Sequence, residues 1–378
     1  MKALFMTFQY ILPCDGISKK IVAQNKALKC NGLDVELACF DRDESGRLIY
    51  KIDDRTIETY GKGIAAKIKK RCLFGKLAKY ISDNDIRFVY VRYIHFANPF
   101  FVDLFRRLRK NGTVIFLELP TYPYDSEYKN LSLRSFVPVY TERLCRRWLA
   151  KYVDRIVTFS SHDQIWNRPT VRISNGVDMD EIPVRSAPPK NPAALNLLGV
   201  AGLMFWHGFD RLIEGLREYY RTLQPVKVVF NIVGGKPDSE IVRELKDKVR
   251  RYGLQEFVIF HGEMSGSALD DLFDRNDVAI GSLGCHRIDN VNVRPLKNRE
   301  YAARGIPFVH AVNDSDFADK PYTLKFPADE SFIDIRRIVD FYYSNSFDSE
   351  EIRKSVEETL SWRMQMRIVK KELMSLTQ

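Results

Sequence analysis

Pro295-Leu-Lys297-Asn-Arg-Glu300-Tyr301-Ala-Ala-Arg-Gly305-Ile-Pro307-Phe-Val309 reads as one helix with its start and stop written in. Pro295 suits a first helical position, where the missing N–H would go unused. Gly305 suits the left-handed residue that closes a helix, and Pro307 forbids continuation. The apolar residues that follow (Ile306, Phe308, Val309, Ala311, Val312) predict a short buried strand. Lys297 and Glu300 stand three apart and share a face near the helix start. The N–H groups there attract an anion, a lysine beside them suits a phosphate, and a glutamate one turn on suits the hydroxyls of a sugar. The competing reading of the same spacing is a surface ion pair, which is common and contributes little.

Working outward, short apolar runs alternate with helical periods, which predicts parallel sheets flanked by helices. In the first half the runs are Ala3–Phe8, Val35–Phe40, Phe88–Val91, Thr113–Leu117 and Arg155–Phe159. In the second half they are Leu195–Ala201, Val226–Val233, Phe257–Phe260, Asp277–Ile280 and Pro307–Val312. Between the halves, Pro183, Pro188, Pro189 and Pro192 fall in a stretch with few large apolar side chains, which reads as a linker. The expected organisation is therefore an α/β chain of two doubly wound domains, 1–182 and 194–355, joined by 183–193 and closed by a helical segment 356–378 that carries Trp362. In such pairs the strand ends of each sheet point toward a shared cleft, where ligands bind.

Composition narrows the class. The chain has 378 residues, 45% hydrophobic and 12% aromatic, enough for two packed cores. Its net charge of +10 is uneven: residues 1–170 carry 30 Lys and Arg against 18 Asp and Glu, a surplus of 12, and the remainder carries 29 against 31. A basic first half predicts an anionic surface or polymer as a partner. The cysteines, Cys14, Cys30, Cys39, Cys72, Cys145 and Cys285, include no Cys-x-x-Cys pair, which argues against a zinc site or a disulfide framework. The start Met1-Lys2-Ala-Leu-Phe-Met lacks the succession of a signal peptide, and the apolar stretch Phe88 to Phe105 is broken by Arg92, His95 and Asp103. A cytoplasmic protein, peripheral to a membrane at most, is expected.

The pattern Lys297-x-x-Glu300-Tyr301-x-Ala303-x-Gly305-x-Pro307 resembles the donor-site helix of the family 4 glycosyltransferases, which have the GT-B fold. The resemblance covers nearly the whole chain. Asn175-Gly-Val-Asp178 is similar to the turn closing the family's first domain, where it is structural. Leu198-Gly-Val-Ala201-Gly202-Leu-Met-Phe-Trp206-His207-Gly208-Phe-Asp210 is similar to the loop and helix opening its second domain. Many members have an arginine near that loop's start and a lysine directly before the glycine, which neutralise the donor diphosphate. Here Ala201 or Gly202 and His207 stand in those places. His207 would contribute to phosphate binding if protonated. Asn231-Ile-Val-Gly234-Gly235-Lys236 and Phe260-His261-Gly262-Glu-Met264 are similar to a strand-end turn and a segment whose backbone lies against the base. Many members place a glutamate eight residues before the helix glutamate, touching the transferred sugar; here that position is Asn292, which cannot ionise. His286, Arg287 and Arg294 are nearby cations for the phosphates, or else side chains facing solvent.

In the first domain, Asp15-Gly16-Ile-Ser18 follows the first strand, with glycine permitting close ligand approach and a helix cap from Ser18 as the plainer account. Glu118, with Tyr122, Tyr124, Asp125 and Glu127 beyond it, suits a sugar acceptor or an ordinary surface loop. His95 stands roughly where relatives have a cleft histidine near the donor sugar. Lys62 to Tyr80 and Arg143 to Lys151 have basic and apolar residues at helical spacing, which fits anionic lipid headgroups or a packed helix with a solvated face. No nucleic-acid-reading motif is present.

The resemblance implies a retaining transfer from a nucleoside-diphosphate sugar to a saccharide or lipid-linked saccharide in surface polysaccharide synthesis, with no bound metal, no cofactor beyond the donor, and a final helix crossing back to the first domain. The catalytic candidates are Glu300, Asn292, Glu118 and His95; the donor-binding candidates are Gly16, His207, Gly235, Met264, Arg294, Lys297 and Glu300. Two other classes stay open: a nucleotide-sugar epimerase of this fold, and a non-catalytic sugar-nucleotide-binding partner of another transferase.

Overall fold

A computed structural model describes residues 1–12, 15–124 and 133–377, with side chains of the last stretch described from residue 138. Cys14, Asp125 and Glu127 lie outside the described residues. The chain divides into two compact units, Met1–Ser174 with Trp362–Gln378, and Asn175–Ser361.

Unit 1 contains β1 (Lys2–Tyr10), α1 (Gly16–Cys30), β2 (Asp34–Arg42), β3 (Leu48–Ile52), β4 (Arg55–Gly61), α2 (Gly63–Cys72), α3 (Gly75–Asp83), β5 (Phe88–Arg92), α4 (Pro99–Lys110), β6 (Val114–Leu119), α5 (Leu133–Ala150), β7 (Arg155–Thr158), β8 (Gln164–Ile165) and β9 (Arg168–Arg172). Among the described residues these strands form one sheet in the order β4-β3-β2-β1-β5-β6-β7-β9-β8. Pairing is parallel from β2 through β9, with Ala3 opposite both Val35 and Phe88. The order reverses at β1 and β5, the switch point of a doubly wound sheet. The antiparallel β3–β4 hairpin and the short β8–β9 pair at the edges were not expected. Leu4, Met6, Val89, Val91, Ile115 and Leu117 are fully buried under α2, α3, α4 and α5, whose Ala66, Leu77, Phe101, Leu104 and Leu149 fill the other side of one core.

Unit 2 contains β10 (Ala194–Val200), α6 (Phe209–Tyr219), β11 (Lys227–Val233), α7 (Glu240–Arg251), β12 (Val258–Gly262), α8 (Ser267–Asp274), β13 (Val278–Ile280), α9 (Leu296–Arg304), β14 (Phe308–His310), β15 (Thr323–Lys325), α10 (Ile335–Ser344) and α11 (Ser349–Leu360). Its sheet is parallel throughout, in the order β12-β11-β10-β13-β14-β15, and reverses at β10 and β13.

The units divide at Ser174/Asn175, whereas the proline-bearing stretch 183–193 belongs to unit 2. Arg185 is buried there, its backbone N–H donating to Arg304 O at 2.9 Å and its guanidinium to Asn276 O. Proline content set the backbone of this stretch without freeing it from the core. The expected final segment 356–378 is also split. Its first residues finish α11 in unit 2, and α12 (Trp362–Thr377) belongs to unit 1. There Asn31 donates to Arg363 O at 2.8 Å, Lys370 to Asn31 O at 2.5 Å, and Arg155 to Glu372 at 2.5 Å.

Candidate functional site

In unit 2, the loops after β10 and β13 flank the switch point, and the second leads into α9. Pro295 stands one place before the first helical residue, with extended backbone (φ −62°, ψ 136°), and Gly305 closes the helix in the left-handed region at φ 76°. A Cβ at Gly305 would lie 2.3 Å from Ser349 O, so packing as well as conformation demands glycine there. Tyr301 explains why this helix sits where it does: its hydroxyl accepts from Val200 N–H at 3.2 Å and donates to Ile280 O at 3.1 Å, tying α9 to the ends of both switch-point strands.

The two loops are held against each other by glycine. Gly208 (φ 67°) has no room for a Cβ, which would lie 2.6 Å from Gly284 N, and Leu283 N–H donates to His207 O at 2.9 Å. Arg211, buried on α6, donates to Leu283 O and to Ser331 O at 2.7 Å, clamping the same loop from below. A second buried arginine, Arg299, pairs with Asp314 and Asp316 and donates to Asn175 O at 3.2 Å.

Lys297 is the charge these clamps leave over. Its stem is partly exposed, yet its Nζ is shut off from solvent and has no hydrogen-bond acceptor among the described residues. The amine lies 5.6 Å from the centroid of the Phe209 ring. Burial lowers it to about 8, against a small upward pull from Cys285. A buried ammonium without an acceptor is costly, so the observation itself points to an anionic ligand.

His207 cannot serve as the expected cation. Burial first, and then the Lys297 charge, hold it down to about 2. Its Nδ1 accepts from Met204 N–H at 3.0 Å, which leaves the single ring proton on Nε2. It can donate one neutral hydrogen bond.

Glu300 does not pair with Lys297. Its Oε1 accepts from Arg304 Nε at 3.1 Å, and Arg304 also donates to Asp270 at 2.7 Å. Arg287 is spoken for as well, facing Asp210 at 2.8 Å and Glu330 at 2.6 Å, and His286 lies 2.7 Å from Glu330. Arg294 donates to Ser315 Oγ at 3.0 Å and is 3.8 Å from Asp316, so its charge is partly answered. Asn292 is exposed and accepts from Asn313 at 2.9 Å. Gly235 (φ 77°) is fixed by packing: a Cβ would meet Leu203 and Val242, both at 2.8 Å. Met264 packs against the apolar cluster of Tyr301, Phe308 and Val233.

In unit 1, Gly16 opens α1 beside the β1/β5 switch point, with nothing within 4 Å of where a Cβ would stand. The helix cap is Asp15 and not Ser18: the Asp15 carboxylate accepts from both the N–H and the hydroxyl of Ser18, each at 2.8 Å. Glu118, expected to face a sugar, is fully buried. It accepts from Tyr90 at 2.6 Å and Gln24 at 2.7 Å, pairs with Arg92, and lies 3.6 Å from Lys20. Burial would raise its carboxyl, but Lys20 and Arg92, with the two hydrogen bonds, outweigh that and hold it low. It is a structural carboxylate. His95, at φ 56°, stacks on Tyr124 with centroids 3.8 Å apart, and Tyr124 and Tyr93 both donate to the buried Glu142 at 2.7 Å. Sequence reading missed Glu142, Arg211, Arg299 and Asp314, most of whose partners stand on other elements of the fold, and Phe209, which its place after Gly208 could have marked.

No known family profile matches this sequence, and neither does any curated protein. The fold, however, has close counterparts among solved structures. Sucrose-phosphate synthase from Thermosynechococcus elongatus superposes with a TM-score of 0.68 over 99% of both chains at 13% identity. The lipopolysaccharide outer core galactosyltransferase WaaB gives 0.63 over 99% of both at 14% identity. Anabaena HepE, solved in complex with UDP, gives 0.60 over 100% of both at 13% identity. The fold is therefore GT-B, that of glycosyltransferases, with two Rossmann-like doubly wound units and a last helix that returns to the first.

Proposed function

We propose that the chain is a glycosyltransferase of the family 4 type, which takes a sugar from a nucleoside diphosphate and passes it, with retention and without a bound metal, to a saccharide or lipid-linked saccharide in surface polysaccharide synthesis. The observation that carries this reading is the orphaned Lys297 amine at the start of α9, beside the switch point of unit 2. Lys297 meets the diphosphate, the His207 Nε2–H adds a neutral hydrogen bond, and Glu300 exchanges Arg304 for the ribose hydroxyls. The bond from the anomeric carbon to the phosphate oxygen breaks as the bond to the acceptor oxygen forms on the same face. The acceptor's proton passes to the leaving phosphate, so no protein base is required. The likeness in fold to HepE, whose structure holds UDP, supports UDP as the first nucleotide to try.

Calorimetric titration with UDP, GDP, ADP and CMP tests the reading. Saturable binding of one nucleotide, weakened in Lys297→Ala, is expected; no binding by any of them overturns it. A second reading, a sugar-nucleotide-binding partner without turnover, draws on the un-ionisable Asn292 and the sealed Glu118. Donor bound but never consumed in any acceptor mixture would favour it.

A further inference from the structure

The helical layer over one face of the unit 1 sheet has an apolar outside. In α2 only Ala66 is buried, whereas Ile64 and Ile68, one turn apart, are 77% and 60% exposed. From Lys62 to Ser82 there is no acidic residue. Lys62, Lys67 and Lys69 are exposed and make no ion pair among the described residues. On α5, Tyr140, Leu144 and Trp148 form an exposed row at i, i+4, i+8, with Leu144 and Trp148 55% and 56% exposed. Arg143, Arg147 and Lys151 form the row beside it, also exposed. The opposite side of α5 buries Glu142, Cys145 and Leu149. α4 packs against α2, α3 and α5, and Phe100 at its start is exposed too, so these rows belong to one outer layer.

Single exposed apolar residues are ordinary, but rows of them at helical spacing beside exposed cations are not. Tryptophan and tyrosine prefer the level of lipid headgroups, and basic side chains gain from anionic lipid. Nucleic acid would use the cations and leave the apolar rows idle. We infer that the outer layer formed by α2, α4 and α5 docks on an anionic lipid bilayer, with Ile64, Ile68, Leu144 and Trp148 entering the headgroup region and the flanking cations meeting lipid phosphates. No helix among the described residues is long and apolar enough to cross the bilayer, so the contact is peripheral to it. This inference stands apart from the donor reading, which concerns unit 2.

The test is sedimentation of the full chain with phosphatidylcholine vesicles, with and without phosphatidylglycerol, at physiological salt. Binding is expected only with the anionic lipid, with a blue shift of Trp148 fluorescence that Trp148→Phe removes. Leu144→Ser with Trp148→Ser should weaken partition about tenfold or more. Lys62→Ala, Lys67→Ala and Lys69→Ala should each weaken it roughly fivefold. Circular dichroism and thermal unfolding of the same variants confirm that they are folded. Failure to bind anionic vesicles overturns the proposal. So does full binding by the apolar double variant with displacement by duplex DNA, which would assign the face to nucleic acid. A change in solution mass in that variant, with vesicle binding intact, would assign it to a second copy of the chain.

Discussion

Lys20 and Lys297 are both lysines whose amines are closed off from water, one in each unit, and they differ in what faces them. Lys20 lies 3.6 Å from Glu118 and 3.7 Å from the centroid of the Phe159 ring, inside a network that also contains Arg92, Tyr90 and Gln24. Burial pulls it down to about 7 even so, outweighing the upward pull of Glu118, and the Arg92 charge adds to the fall. Lys297 has an aromatic neighbour in Phe209 but no acceptor. A buried charge answered inside the protein belongs to the fold, and one left unanswered is where the proposed ligand is to be tested.

Three perturbations sharpen or break this contrast. Glu118→Ala leaves Lys20 and Arg92 buried without their counter-charge and should lower unfolding free energy by about 3–5 kcal/mol in a urea titration. Nucleotide affinity of the folded variant should be unchanged. A loss below about 1 kcal/mol would mean that Lys20 is housed neutral and that the network carries little. Lys297→Met should do the reverse: stability equal or higher, because an unpaired buried ammonium is removed, and nucleotide affinity about ten- to a hundredfold lower, as for a charged hydrogen bond. Destabilisation like that of Glu118→Ala would make Lys297 structural and end the contrast.

The smallest effect is in pH. The folded state disfavours the Lys297 cation, lowered from 10.5 to about 8, so its destabilising contribution is full below pH 8 and fades as pH rises toward 10.5. Binding has the opposite sign: above pH 8 the free protein must take up a proton to meet the phosphates. Affinity should fall roughly tenfold between pH 7 and pH 9, and a flat profile in that window would separate Lys297 from the anion.

Much of this was legible in the sequence. The parallel strands announce themselves as apolar runs because both of their faces are buried, and the stop of α9 is written in Gly305 and Pro307. The β3–β4 hairpin was hidden because Lys51, Arg55 and Glu58 interrupt its apolar pattern at an exposed sheet edge. The division of the chain was misplaced because prolines fix backbone direction and say nothing about whether a segment such as Arg185 is packed. At the site, glycine and aromatic positions could be read, but pairing could not. Lys297, Arg299, Glu300 and Arg304 look alike in sequence as charges on one helix. Only their partners separate them: Asp314 for Arg299, Asp270 and Glu300 for Arg304, and nothing within the described residues for Lys297. Arg287, a reasonable phosphate cation on spacing, is instead held by Asp210 and Glu330, which stand 77 and 43 residues away along the chain.

The return of α12 to unit 1 sets an order of synthesis. Unit 2 is one continuous stretch, Asn175–Ser361, and all of its strands have left the ribosome before α12 is made. Unit 1 starts first but finishes last: the end of α1 waits for Lys370, which donates to Asn31 O, and the chain at Ser174 waits for Gln365, which accepts from its N–H. A nascent chain stalled short of α12 would thus carry a finished second unit and an unsealed basic first one, reversing the order in which the two were translated.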